Sequence, residues 1–251
     1  MGRMSTHLVS TLVLVSLRSV TTPIVLIHGA LGAASQMTAL GDRLNSMSPT
    51  YAVELEGHGA TPTGMTAYGI ERFADNVRAF LTAKQIERVA IFGYSMGGYV
   101  ALHLAASSPD VVTRVATLGT KLAWTPDVAQ RETSRLDPAT LRAKVPKFAA
   151  ALEERHAGAG GWERVLTMTA DLMRTLGATP VVDAEVLGRI KQPVRLMVGD
   201  RDTVVTLDET SDAVRTLGSG ELGVLPATPH PFEQVRLPLL GSALVDFFGA
   251  A

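Results

Sequence analysis

The ten residues Val89–Gly98, with the sequence VAIFGYSMGG, decide the fold of this 251-residue chain. The first four are apolar, which predicts a short buried strand. The motif Gly93-Tyr-Ser95-Met-Gly97 follows at once, and the small residues in 99–106 predict a helix. Strand, tight turn and helix in this order form the setting of a nucleophile elbow, in which the Ser95 hydroxyl projects from a strained turn.

A nucleophile elbow also requires particular residues on either side of the serine. Side chains at Gly93 and Gly97 would collide with the adjoining strand or helix, so glycine is expected at both positions. The amide of Met96, at the start of the helix, is free to donate to a developing oxyanion. Because a lone Gly-x-Ser-x-Gly also occurs in ordinary turns, the rest of the chain must decide between the two interpretations.

Composition excludes several classes of protein. The 23 basic and 24 acidic residues are interspersed and give a formal charge of −1, so neither nucleic acid nor an anionic membrane surface is an expected partner. The absence of cysteine removes disulfides, thiol catalysis and thiolate metal sites. No HExxH or paired-histidine motif is present, and we expect neither a metal nor a cofactor.

The apolar stretch Leu8–Leu17 (LVSTLVLVSL) has two interpretations. It is similar to the apolar part of a secretory signal, although no Ala-x-Ala-like cleavage site follows, and it is too short to span a membrane. The alternation of Val9, Thr11, Val13 and Val15 predicts an edge strand instead. We favour the strand, and with it a cytoplasmic protein, and keep secretion as the alternative.

Five further runs predict strands, and apolar residues at helical spacing separate most of them. This alternation indicates an α/β protein with a doubly wound, mostly parallel sheet. Ligands of such sheets bind beyond the carboxyl ends of the strands, where Ala30, Ser95 and Gly119 fall. The five runs are residues 24–27, 51–55, 111–118, 193–198 and 222–225.

Residues 120–185 interrupt this alternation. They contain no β-rich run, and Thr125-Pro126 and Asp137-Pro138 are typical helix starts. We therefore predict a helical cap at 120–185, inserted into a core formed by 1–119 and 186–251.

An activated serine needs a base, and His230 is the best candidate among the six histidines. It follows the last predicted strand, and a proline on each side fixes the backbone around it. His28 and His58 lie in glycine turns, where side-chain bonds to the backbone are expected. His103 is expected in the core or on the surface, and His156 is expected to be solvated.

The base needs an acid, and Asp200 and Asp202 follow the strand at 193–198. We favour Asp202, with Asp200 as the alternative. The order Ser95, Asp202, His230 is the one expected for a triad on an α/β-hydrolase sheet.

Five motifs from residue 23 onward, in register, resemble the small capped bacterial α/β-hydrolases, which include carboxylesterases, enol-lactonases and carbon–carbon hydrolases. They are His28-Gly29-Ala30, Gly57-His58-Gly59, Gly93-Tyr-Ser95-Met-Gly97, Gly199-x-x-Asp202 and His230.

The resemblance implies a role for each matching residue. Ser95 is the nucleophile, His230 the base and then the acid, and Asp202 holds the tautomer of His230. The amides of Ala30 and Met96 form the oxyanion hole. The implied reaction is cleavage of a small-molecule carboxylic ester, thioester or lactone through an acyl-enzyme, and a serine at this position argues against the dehalogenase and epoxide hydrolase branches.

Alternative functions are possible with the same residues. Carbon–carbon hydrolysis, cofactor-free perhydrolysis and elimination all occur on sites that resemble this one, and a non-catalytic binding protein is a further alternative. Leu31, Tyr94 and Trp124 are candidate substrate contacts, and the oligomeric state stays open. Two positions depart from the family pattern: Pro229 stands where glycine often precedes the histidine, and Glu54 stands where aspartate is common.

Overall fold

The computed structural model describes residues 21–62, 64 and 66–250. The stretch Leu8–Leu17 lies outside the described residues. The six described strands form one sheet in the order β2-β1-β3-β4-β5-β6, and every neighbouring pair is parallel. They are β1 (Ile24–Ile27), β2 (Thr50–Val53), β3 (Val89–Tyr94), β4 (Val112–Leu118), β5 (Val194–Gly199) and β6 (Gly220–Leu225).

Helices cover both faces of the sheet. Strand β1 shows why, because all four of its residues are fully buried. Ile24 and Leu26 pack into one apolar cluster, and Val25 and Ile27 pack into another on the opposite face. A strand buried on both sides is what a doubly wound sheet requires, so the predicted fold class is confirmed.

The described α-helices, in chain order, are α1 (Thr38–Leu44), α2 (Ile70–Ala83), α3 (Met96–Ser107), α4 (Pro126–Thr133), α5 (Pro138–Lys144), α6 (Pro146–Arg155), α7 (Trp162–Ala178), α8 (Ala184–Arg189), α9 (Leu207–Thr216) and α10 (Leu237–Gly249). Helices α1 and α10 pack on one face of the sheet; α2, α3, α8 and α9 contribute to the cluster on the other.

The connection between β4 and β5 holds α4 to α8 and no strand among its residues, all of which are described. The Thr125 side chain accepts a hydrogen bond from the Val128 amide at 3.2 Å, and Asp137 accepts one from the Thr140 amide at 2.7 Å, so both predicted helix starts are capped. Helix α7 extends the core cluster of α2 and α3. The division into a core and a separate cap at 120–185 stays a prediction.

None of the described helices combines the length and the apolar character that crossing a membrane requires.

Candidate active site

Ser95 lies at the junction of β3 and α3 in a strained backbone conformation, with φ 50° and ψ −115°. An L-residue adopts positive φ at this ψ only where the surroundings enforce it. The Ser95 amide donates to the carbonyl of Leu118 at 2.8 Å, and the Thr120 hydroxyl donates to the Ser95 carbonyl at 3.0 Å. The segment that ends β4 therefore holds the turn in place.

The two glycines of the motif permit close backbone packing. A Cβ atom at Gly97 would lie 2.3 Å from the carbonyl oxygen of Ile27 in β1, and one at Gly93 would lie 2.3 Å from the carbonyl oxygen of Gly97. Neither distance is compatible with a side chain, and both obstacles are backbone atoms. The steric reason given by the sequence thus applies at both positions.

Ser95, His230 and Asp202 come together at the carboxyl ends of the strands. The Ser95 Oγ lies 3.4 Å from the His230 Nε2, and the His230 Nδ1 lies 2.7 Å from the Asp202 Oδ2. The other carboxylate oxygen, Oδ1, accepts hydrogen bonds from the amides of Val204 and Val205 at 2.8 Å each. The acid that contacts the histidine is therefore Asp202.

Asp200, the alternative acid, is exposed and accepts a hydrogen bond from the Thr228 amide at 3.1 Å. This bond ties the loop after β5 to the loop that carries His230. The two loops also cross closely at Gly199, where a Cβ atom would lie 1.9 Å from the Thr228 carbonyl oxygen. Asp200 thus helps to hold together the two loops that carry Asp202 and His230.

The electrostatics favour an ionised Asp202. Burial raises the pKa of its carboxyl, but the hydrogen bond with His230 and the two backbone amides outweigh that effect and hold the pKa below its ordinary value. The ionised carboxylate accepts from the Nδ1–H of His230. That tautomer leaves the lone pair on Nε2 directed at the Ser95 hydroxyl, which is the arrangement that a general base requires.

The amides of Ala30 and Met96 lie beside Ser95 at the ends of β1 and β3. In the described part of the chain neither amide donates a hydrogen bond to another residue. Both residues line a cavity that Ser95 also lines. Two N–H groups that are available as hydrogen-bond donors next to the serine are what an oxyanion hole requires.

Two cavities open at Ser95. The large cavity has a volume of about 440 Å³, and the small cavity has one of about 50 Å³. Of the predicted substrate contacts, Leu31 and Tyr94 line the large cavity and Trp124 lines both. Most of the other residues around the large cavity are apolar or charged, and they include Lys121, Glu132, Arg135, Leu136, Leu141, Phe148, Arg155, Phe232 and Glu233.

Besides lining the large cavity, Tyr94 has a second role that the sequence did not indicate. Its hydroxyl donates to the carbonyl of His230 at 2.5 Å, and its ring packs against the rings of His230 and Phe232. Burial raises the pKa of Tyr94, so the hydroxyl stays protonated and can keep donating. Tyr94 therefore supports the loop that positions the base.

The expectation that His156 is solvated is wrong. Its ring is fully buried, with Nδ1 accepting from the Gly59 amide at 3.0 Å and Nε2 donating to the Leu31 carbonyl at 3.0 Å. The reason is that the turn after α6 packs directly on the loop after β2; a Cβ atom at Gly158 would lie 2.8 Å from the Cα of Ala60. His156 thus joins the helical connection to two loops of the sheet.

His28 and His58 are buried beside His156, with ring centroids 5.1 Å (His28–His58) and 5.9 Å (His58–His156) apart. As expected, both contact backbone: the His28 Nδ1 lies 2.8 Å from the Gly29 carbonyl oxygen, and the His58 Nδ1 lies 3.4 Å from that of Glu56. His103 is half-buried on α3. Within the residues described, no group of three or more histidines and carboxylates is arranged to hold a metal ion.

Glu209 is a further residue at the site. It lies in the first turn of α9, the helix that follows β5, and its carboxylate accepts from the amides of Leu122 and Ala123 at 2.7 and 2.9 Å. The Lys121 ammonium lies 3.4 Å from the same carboxylate, and both side chains are nine-tenths buried. Glu209 therefore fixes the segment that carries Thr120 and Trp124, and an acidic residue in the first turn of a helix is too common to have revealed this.

Glu54 occupies the position where the family often has aspartate. Its carboxylate accepts from the Ala34 amide at 2.8 Å and lies 3.2 Å from the His28 Nε2. Burial raises the pKa of the Glu54 carboxyl, but these contacts lower it by a larger amount, so the pKa lies below its ordinary value. Glu54 therefore supplies a carboxylate that contacts the backbone and His28 at this position.

A parallel sheet with a serine elbow after β3, an acid after β5 and a histidine after β6 has the features of the α/β-hydrolase class. The family model of the alpha/beta hydrolase fold matches residues 22–232, and the chain belongs to this family.

Several relatives carry names that state an activity. A pimeloyl-acyl-carrier-protein methyl ester esterase from Chromobacterium violaceum is 27% identical over 240 aligned residues, which cover 83% of this chain and 87% of that protein. Other matches are shorter: the chain spans 27% of the length of the mycobacterial relatives that it matches at 33% identity over 92 residues.

Solved structures share the fold. The enol-lactonase from Burkholderia xenovorans superposes with a TM-score of 0.75 at 18% identity over 92% of both chains. The 2-hydroxy-6-oxo-6-phenylhexa-2,4-dienoate hydrolase from Rhodococcus sp. superposes with a TM-score of 0.74 at 22% identity, covering 92% of this chain and 91% of that one.

Proposed function

We propose that this protein is a serine hydrolase that cleaves a small-molecule carboxylic ester, thioester or lactone through an acyl-enzyme. The observation that supports the proposal most directly is the run of contacts from Ser95 to His230 to Asp202, at 3.4 and 2.7 Å. The esterase name of a relative matched over most of both chains supports an ester as the substrate class.

In the acylation step the Ser95 Oγ attacks the substrate carbonyl, and its proton passes to the Nε2 of His230. Asp202 stabilises the imidazolium that forms. The amides of Ala30 and Met96 donate to the oxyanion of the tetrahedral intermediate, and each such donor contributes on the order of 3 kcal/mol in comparable sites. Collapse of the intermediate breaks the bond to the leaving group, which takes the proton from His230.

Deacylation repeats the sequence with water. His230 removes a proton from a water molecule, which attacks the acyl carbonyl, and Ser95 leaves with that proton. The large cavity, at about 440 Å³, falls in the range of small-molecule sites, and the apolar side chains among its lining residues suit a hydrocarbon chain.

The test compares the wild type with Ser95→Ala on p-nitrophenyl esters of short and medium acyl chains, together with labelling by a fluorophosphonate. We expect kcat/KM to fall by at least about 10³-fold in the variant and labelling to disappear. The control is Ser242→Ala, an exposed serine on α10 across the sheet, which should retain both.

The remaining outcomes of this test each favour a different function. Labelling at Ser95 without ester turnover would favour carbon–carbon hydrolysis or elimination on the same residues. Folded protein with neither labelling nor turnover would contradict the proposal and favour a binding protein.

A further inference from the structure

Leu31, the residue after the proposed oxyanion donor Ala30, has a strained backbone. Its φ is 58°, in the left-handed region that residues with a side chain rarely adopt. Leu31 is the third residue of a turn that is closed by a hydrogen bond from the Gly32 amide to the Gly29 carbonyl at 3.0 Å. Of the two central residues only Leu31 has a positive φ, which is typical of a type II turn with glycine or asparagine at that position. A leucine there needs support from outside the turn.

The end of α6 supplies this support. The Arg155 Nη1 donates to the Leu31 carbonyl at 2.8 Å, and the His156 Nε2 donates to the same carbonyl at 3.0 Å. The bond from the guanidinium is charge-assisted and is therefore expected to be the stronger of the two. The Leu31 side chain packs against an apolar cluster of α6 and α7 that consists of Ala149, Leu152, Trp162 and Leu166. These helices thus hold both the carbonyl and the side chain of Leu31.

Arg155 is itself held in place. Its side chain is 16% exposed, and its Nη2 donates to the Glu233 carboxylate at 2.9 Å. Glu233 also accepts from the Gln36 Nε2 at 2.7 Å. Both terminal amino groups of the guanidinium therefore have a protein acceptor, and the planar fork of donors fixes the direction of the bond to Leu31.

The form of the turn matters because the Ala30 amide is part of it. A type I turn keeps the same closing hydrogen bond, needs no positive φ, and differs by a rotation of the central peptide, here the one that joins Ala30 to Leu31. For a residue with a side chain, the left-handed region is disfavoured by a factor of roughly 5 to 30. Without the hold on the Leu31 carbonyl, the turn would leave its present form for much of the time. An oxyanion hole is effective only when its donors are fixed in advance.

We propose that Arg155 is a positioning residue for the oxyanion hole. By holding the Leu31 carbonyl, it keeps the turn in the form that directs the Ala30 amide toward the substrate carbonyl. The helical connection between β4 and β5 then takes part in catalysis as well as lining the cavity. This inference rests on the proposed function, because it assigns a support to the proposed oxyanion hole.

The first test compares kcat and KM of the wild type and Arg155→Met on a p-nitrophenyl ester that the wild type turns over. We expect kcat to fall about tenfold and KM to stay within about twofold, because the lost bond acts on the transition state. The control is Arg142→Met, which removes another cap arginine whose partners, Glu163 and Trp162, both lie in α7. It should keep kcat within about twofold. A raised KM with unchanged kcat in Arg155→Met would assign Arg155 to substrate binding and overturn the inference.

A transition-state analogue tests the oxyanion hole directly. Addition of the Ser95 Oγ to the carbonyl carbon of an alkyl trifluoromethyl ketone gives a tetrahedral adduct with its oxyanion in the hole, while the serine proton passes to His230. The Ki of this ketone should rise in Arg155→Met by about the factor by which kcat/KM falls. An unchanged Ki would contradict the inference.

The pH profile separates the oxyanion hole from the base, since Glu233 lies near His230 in the chain. The acid limb of kcat/KM should keep its wild-type midpoint in Arg155→Met, because the contacts of His230 with Ser95 and Asp202 are untouched. A shifted midpoint would show that Arg155 acts through the base and would overturn the inference.

The decisive comparison repeats the substitution in a Leu31→Gly background. Glycine adopts positive φ without strain, so the turn no longer depends on Arg155, and Arg155→Met should then lower kcat by less than about threefold. Any effect of losing the Leu31 side chain is common to both members of the pair. Equal losses in the two backgrounds would refute a role through Leu31.

Each protein is assayed well below its own Tm, so that folded proteins are compared. Ester turnover with the same kcat and Ki in the wild type and in Arg155→Met would refute the inference and leave the proposed function standing. A wild type that turns over no ester would overturn both.

Discussion

Replacement of Asp202 by asparagine should disable the proposed base through its tautomer. The Oδ1 of Asp202 accepts from two backbone amides, Val204 and Val205, at 2.8 Å. In Asp202→Asn only the amide oxygen can meet these two N–H donors, so the NH₂ group must face the Nδ1 of His230. Because that NH₂ donates, the ring must present a lone pair at Nδ1 and carry its proton on Nε2. The nitrogen nearest Ser95 then has no lone pair for the serine proton.

The size of the effect follows from this loss. Removing the correct tautomer while keeping the shape of the site lowers kcat by about 10⁴-fold in serine triads, which corresponds to about 5 kcal/mol in the activation free energy. KM should change little, since Asp202 is almost fully buried and does not line either cavity. The fold should persist, because the bonds to Val204 and Val205 remain.

The assay is kcat and KM on a p-nitrophenyl ester that the wild type turns over, with Asp200→Asn as the matched control. Asp200 can keep its bond to the Thr228 amide through the asparagine oxygen, so we expect activity within about twofold of the wild type. Two results would refute the reasoning: Asp202→Asn with more than a tenth of the wild-type kcat, or a larger loss in Asp200→Asn than in Asp202→Asn.

Three further predictions concern stability, each measured by urea unfolding. Burial lowers the pKa of His58 well below its ordinary value of 6.5. Below about pH 6.5 the unfolded chain therefore binds more protons than the folded chain, and the free energy of unfolding should decrease as the pH falls. The decrease should be at most about 1.4 kcal/mol per pH unit for each such histidine. A free energy of unfolding that stays constant from about pH 7.5 to 5.5 would contradict this. Gly97→Ala should lose about 3 kcal/mol or more, because its Cβ would meet a carbonyl oxygen of β1 at 2.3 Å, whereas Gly218→Ala, with no atom within 4 Å, should change by less than about 1 kcal/mol. Equal losses in the two would disprove the steric argument. His156→Phe should lose about 1–3 kcal/mol, since it leaves the Gly59 amide buried without its acceptor, and an unchanged midpoint would count against that bond.

The sequence predicted most of the sheet because its strands are continuous apolar runs, as in the four buried residues of β1. The approach of Ser95, Asp202 and His230 was also predictable. Each follows a strand, and parallel strands bring their carboxyl ends to one edge. Local rules therefore suffice where the site is built from strand ends.

The contacts made by the helical connection were not predictable in this way. His156 stands at the end of a helical segment whose local sequence suits solvent or core equally well. Its surroundings depend on how α6 packs on loops remote in sequence, as the contacts of His156 with Gly59 and Leu31 show. Glu209 is similar, because its partners lie 86 to 88 positions earlier in the chain.

The strained backbone of Ser95 has a consequence for protein engineering. A positive φ at this ψ raises the free energy of the folded state by about 1–3 kcal/mol for any residue with a side chain, and glycine would relieve most of it. A programme that optimises only the melting temperature would therefore select Ser95→Gly and remove the nucleophile. Libraries built on this scaffold should hold position 95 fixed and look for stabilising substitutions elsewhere.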